Sequence, residues 1–172
     1  MTVYTAIFRL YSECESNDDH PLYDILDLRQ TQPVLHKRCS LKNLEYEFLC
    51  TLRDKTSTIV LVVPAQHTRQ VKLPLVRGSA KNAIQSAPFL VEETLATNLQ
   101  SCHVAVTRDA STGQISTLVI EHEKLLAYLD DFLTSEISVE HIFRDCDTLA
   151  ETEFPSVYLR DTSAMIKTKH LC

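Results

Sequence analysis

Several residue groups in this chain have types that support chemistry, and their spacing decides how far each can go. A phosphate cradle needs backbone N–H groups at close approach, which glycine permits, with a cation nearby. The chain has two glycines, Gly78 and Gly113. Gly78–Ser79, opening a helical pattern, has the makings of an anion-binding helix start, though a plain cap is the simpler reading. Gly113 sits in DASTG and reads as a turn glycine. The turn after the first strand, Tyr11–Pro21, holds Glu13, Glu15, Asp18 and Asp19 with neither glycine nor lysine. Such a turn repels a triphosphate. Asp161, in the turn Arg160–Ser163, is the one carboxylate there able to hold a magnesium-bound water, and that turn also lacks glycine. No G-x-x-x-x-G-K-S/T or G-x-G-x-x-G pattern occurs.

Zinc asks for four converging ligands. His36 and Cys39, Cys102 and His103, and His141 and Cys146 are the nearest His/Cys couples, and none forms a knuckle pattern. Cys102 and His103 on a strand point to opposite faces. Nucleophilic catalysis has no G-x-S-x-G elbow, although His67 and His122 are free to meet a thiol in space. Glu92–Glu93 and Asp130–Asp131 are paired carboxylates on helices. Neighbours on a helix diverge by about 100°, so they read as solvated faces and not as a proton-sharing dyad. Phe89 fits either the core beyond a kink or an exposed anchor for a partner. The residues alone therefore give no catalytic, cofactor or metal site, and they leave the partner-binding surface unknown.

The elements that would position these groups follow from periodicity. Val3–Leu10 is β-branched and aromatic and reads as a strand; Leu22–Leu28 and Pro33–Lys37 read as two more. Ser40 is a helix cap, with Leu41, Leu44, Phe48, Leu49 and Leu52 on one face. Thr58–Val63 is a continuous apolar run, the mark of a strand covered on both faces. Pro64 ends it. Arg69–Leu73 is a partner strand closed by Pro74. Ser79 caps a second helix with Ala80, Ala83, Ile84, Ala87 and Val91 on one side, and Pro88 predicts a kink or break at Ala87. Cys102–Thr107 and Ile115–Ile120 form a hairpin. A third helix carries Leu125, Leu126, Leu129, Phe132 and Leu133 as one stripe, with Glu123, Lys124, Asp130 and Asp131 off it. Val139–Phe143 is a strand, and Val157–Arg160 with Ala164–Lys167 make a last hairpin.

This order predicts an α/β chain. A β-β-β-α-β-α-β lobe of ribonuclease H-like, actin-like type spans residues 1–64 and 121–150. An inserted β-α-β-β subdomain spans 65–120, and 151–172 opens a second lobe that stays incomplete. The 172 residues, 44% hydrophobic and 23% charged, are enough for a core of their own. Seventeen basic residues against twenty-three acidic argue against a nucleic-acid partner. No run reaches the roughly 20 apolar residues of a membrane helix. No leader is evident, so the six dispersed cysteines read as reduced cytoplasmic thiols.

The stretch Val62–Leu99 is more specific. A strand ends in Pro64, a second ends in Leu73-Pro74, and the helix that follows carries Ala83, Pro88, Glu92 and Glu93 in an Ala-x-x-x-x-Pro-x-x-x-Glu-Glu pattern. This resembles the cytoplasmic region of type II secretion system protein L, also called general secretion pathway protein L. Farther on, Ile142–Leu149 is similar to the family too, with Asp145 and Leu149 at matching positions; Ala65 stands where the family usually has glycine. The resemblance implies a non-enzymatic scaffold of actin-like fold with no cofactor. It implies docking of the secretion ATPase, protein E, through its N-terminal domain, and contact with the platform proteins F and M through this or further regions. A homodimer is a further possibility it raises. It places the chain at the cytoplasmic face of the bacterial inner membrane, as a soluble piece of a single-pass protein that does not itself insert. Three other readings stand beside it: an actin-like ATPase, an ATP-binding actin-like assembly protein of the pilus protein M type, and an unrelated thiol hydrolase.

Overall fold

A computed structural model describes residues 5–10, 21–29, 31–73, 80–95, 98–108, 112–148, 156–160 and 163–167. The chain divides into two compact units, one of residues 1–65 with 128–172, the other of residues 66–127.

The first unit is built on a five-stranded sheet of order β3-β2-β1-β4-β8. β1 (Ala6–Leu10) alternates, with Ala6, Phe8 and Leu10 buried. β2 (Tyr23–Asp27) pairs antiparallel with it, Phe8 opposite Ile25, and buries Tyr23, Ile25 and Asp27. β3 (Val34–Cys39) continues the meander antiparallel to β2, with a register shift between Tyr23 and Ile25. β4 (Ile59–Val63) is buried at all five positions. The reason is its place: it runs parallel to β1 on one side and to β8 (His141–Arg144) on the other, so neither edge nor face meets water. Three antiparallel strands followed by two parallel additions is the ribonuclease H-like arrangement.

One face of the sheet is covered by α1 (Tyr46–Leu52), through Phe48 and Leu52, and by the later turns of α3 (His122–Thr134). At the centre Phe8, Tyr23 and Phe132 meet edge to face, ring centroids 5.1 to 5.9 Å apart. The Tyr23 hydroxyl donates to the Tyr128 carbonyl at 3.4 Å. α3 ends in a Schellman motif: the Ile137 N–H bonds the Phe132 carbonyl and the Glu136 N–H bonds the Leu133 carbonyl. Glu136 takes the left-handed position at φ 58°. Ile137 then packs into the core beside Phe132.

The second unit is a three-stranded antiparallel sheet of order β5-β7-β6, from β5 (Arg69–Lys72), β6 (Cys102–Arg108) and β7 (Ile115–Glu121). α2 (Ala80–Glu92) lays Ala87 and Val91, both fully buried, against Leu73, Cys102, Ile115 and Val119. Thr117 is buried but satisfied, its hydroxyl donating to the Val71 carbonyl at 3.2 Å. Gly113 closes the β6–β7 turn at φ 71°, where a side chain would be strained. β9 (Ser156–Arg160) and β10 (Ser163–Lys167) form a separate antiparallel hairpin.

Several elements depart from the periodicity. The Ser40 cap serves only a tight turn, Leu41–Asn43, accepting from the Lys42 N–H at 3.3 Å. Leu44 and Glu45 then extend before α1 begins. Apolar spacing cannot separate one helix from two short segments that share a buried face. α2 runs through Pro88 without ending at Ala87, because Ala87 and Val91 on either side of it are both anchored in the core. Ile84, expected on the inner stripe, is 40% exposed, and Phe89 is exposed. On α3, Leu126 and Leu133 are exposed while Asp131 is buried. The buried face centres on Phe132, at one edge of the leucine stripe. The Tyr11–His20 turn, Gly78–Ser79 and Asp161 lie outside the described residues.

Candidate functional site

β1, β4 and β8 run parallel, and open α/β sheets place ligands outside the carboxyl ends of such strands. Leaving β1, the chain enters the acidic glycine-free stretch from Tyr11. Leaving β4, it passes a buried Pro64 and makes a tight turn, Ala65–His67. Leaving β8, it makes another, Asp145–Thr148.

The last two exits are tied together. Asp145 is buried, and its Oδ1 accepts the Ala65 N–H at 2.9 Å across eighty residues of sequence. The Thr148 hydroxyl donates to the Asp145 carbonyl at 2.7 Å. Beside it Arg144 donates from Nε to Asp147 at 2.8 Å, with a second guanidinium N–H on the other carboxylate oxygen. Arg144 is buried, so this pair is desolvated on one side and strongly oriented. The chemical consequence is direct. The N–H at the β4 exit, the kind of donor a phosphate needs, already serves the chain's own carboxylate. The two carboxylates at the β8 exit serve a backbone N–H and an arginine. Ala65 lies in the tight turn, and among the described non-glycine residues only Arg38 and Glu136 have positive φ, so alanine in place of glycine carries no strain.

A second polar cluster sits at the end of β2. Asp27, 2% exposed, receives Arg29 through its backbone N–H at 3.0 Å, Nε at 2.9 Å and a terminal N–H at 2.6 Å. Hydrogen bonding from Arg29 holds the Asp27 carboxyl below the usual carboxylate range despite its burial, and the carboxylate in turn raises Arg29. The guanidinium carbon lies 4.2 Å above the Phe48 ring, a cation–π contact that fixes α1 against β2.

The second unit has a cavity of about 240 Å³ among the start of β5, the end of β7 and the first turn of α3. His67 and Cys102 both line it. Cys102 is buried while His103 is exposed, as opposite faces require, and the His103 ring stands 6.4 Å from His122. His141 lies beside Phe143, and the Cys146 thiol is 3.8 Å from Asp147. No group of three His, Cys, Asp or Glu residues suited to a metal forms among the described residues. Glu92, Glu93 and Asp130 are exposed and Asp131 is buried. The Asp27–Arg29–Phe48 cluster and the cavity carry no sequence signal; each joins residues from elements that only the fold brings together.

Comparison with solved structures places this arrangement. The cytoplasmic domain of EpsL, an inner membrane component of the type II secretion system of Vibrio cholerae, is similar at a TM-score of 0.64 and 15% identity, over 94% of this chain and 70% of that one. The PilM–PilN type IV pilus biogenesis complex is similar at a TM-score of 0.53 and 10% identity, over 85% of this chain and 48% of that one. At such identities the likeness is one of fold, and the fold is actin-like. No curated protein matches the sequence. No helix among the described residues is long and apolar enough to cross a membrane. The model of one family does match, and over residues 20–168. With most of its length so matched, the chain belongs to the family of type II secretion system (T2SS), protein L.

Proposed function

We propose that this chain is a non-enzymatic scaffold of the type II secretion inner-membrane platform. It recruits the cytoplasmic secretion ATPase, protein E, to the membrane by binding that enzyme's N-terminal domain. The β9–β10 hairpin is the opening of a second lobe, and contacts with proteins F and M run through this or further regions. The observation that carries the reading is the bond from the Ala65 N–H to Asp145. It commits to internal structure a backbone N–H and a carboxylate at the strand exits, where open α/β sheets place their ligands. The glycine-free acidic stretch that follows β1 in the sequence supports it. A second reading, an ATP-binding assembly protein, draws on the likeness to the PilM–PilN complex.

Calorimetric titration separates the two. The purified chain is titrated with the N-terminal domain of the cognate secretion ATPase and, in parallel, with magnesium-ATP. Saturable heat from the domain and none from the nucleotide is expected. Heat from ATP alone would overturn the scaffold reading in favour of the second.

A further inference from the structure

The cavity of the second unit has no part in the secretion reading, and its lining is chemically asymmetric. Its floor is apolar: Leu95 and Val119, with the buried Cys102 thiol packed in the same core. Its rim is charged. Lys124 pairs with Glu121 at 3.3 Å, with both side chains nearly half exposed, a geometry in which an ion pair is weak and exchangeable. Arg69, at the start of β5, lines the same space, and its guanidinium has no ion-pair partner among the described residues. Two cations against one carboxylate leave a positive rim on a chain whose net charge is −6.

We propose that this cavity binds a small amphipathic carboxylate, an apolar body on the Leu95–Val119 floor with its charged end on Arg69 and Lys124. At about 240 Å³ it lies below the roughly 300–1,000 Å³ of drug-sized sites, so the ligand is of fragment size. The planar guanidinium fork matches a carboxylate bidentately. Glu121 at the mouth selects a monoanion, because a phosphate dianion meets its charge at close range. The floor rejects a wholly polar anion, which would leave apolar surface uncovered while losing its own hydration.

The test uses the full ¹⁵N-labelled chain, titrated with phenylacetate, phenethyl alcohol and phenyl phosphate. Phenylacetate is expected to shift the amides of Arg69 and Val119–Glu121 saturably, and more tightly than either analogue. Arg69→Gln should weaken phenylacetate by about tenfold, and Arg69→Lys by less. Arg69 is exposed on an edge strand, so the amide spectrum of each variant should otherwise be preserved. A short peptide ending in phenylalanine, with its C-terminal amide as control, distinguishes a chain terminus from a free acid as the source; either source upholds the carboxylate. No saturable shift at these amides, binding untouched by Arg69→Gln, or phenyl phosphate binding as tightly as phenylacetate would overturn the proposal.

Discussion

Asp27 is almost wholly removed from water and yet stays ionised, because Arg29 supplies three N–H donors from two residues away. A carboxylate held below its ordinary value contributes stability above that value and loses it on acidification. The contribution is complete above the unfolded value near 3.8 and fades as pH falls toward the lower folded value. Asp27→Asn should cost about 1–3 kcal/mol at neutral pH. In chemical denaturation at several pH values, the gap between wild type and variant should close between about pH 5 and pH 2. A gap independent of pH would mean that Asp27 acts by shape and not by charge. Arg29 was invisible as a partner because nothing in a two-residue spacing predicts a fork closing on a buried strand end. Asp145 was legible as a family position, but its bond to Ala65 was not. That bond exists only once two parallel strands deliver their carboxyl ends side by side.

At the scale of elements, strands were easier to read than helix faces. β4 announces itself through five buried apolar residues, since a central strand needs hydrophobic side chains on both faces. The β6–β7 hairpin follows from alternation and a turn glycine. α3 shows what the pattern hides. A leucine stripe and a face centred on Phe132 differ by a rotation of about 60°, and both contain Phe132. Packing decides: the Phe132 ring completes the aromatic trio, so Leu133 is turned out to water and Asp131 inward. Phe132→Ala should lose about 3–5 kcal/mol in thermal or denaturant unfolding. Leu133→Ala, one residue on, should change stability by less than about 0.5 kcal/mol. Comparable losses at the two positions would refute this assignment of the buried face. The end of α3 was also hidden, because Glu136 stands where glycine normally marks a left-handed stop.

For the whole molecule, the division into units has a measurable signature. Hydrogen exchange should show the slowest amides in Ile59–Val63, which open only when the first unit unfolds. The β5 amides of Arg69–Lys72, on an edge strand of a three-stranded sheet, should exchange by local opening and faster. Equal protection in β4 and β5 would contradict this. The same layout bears on how quickly the chain can fold. β4 and β8 pair only after Val60 has found His141, and the clip between Ala65 and Asp145 closes a loop of eighty residues. Closing so long a loop is entropically costly while it is a random coil, and contacts of this range slow folding. Residues 66–127, which lie within that loop, have a core of their own in Leu73, Ala87, Val91, Cys102, Ile115 and Val119. Once that core condenses, the search between the two strands is a short one, so the inserted unit acts on the kinetics of the unit that hosts it.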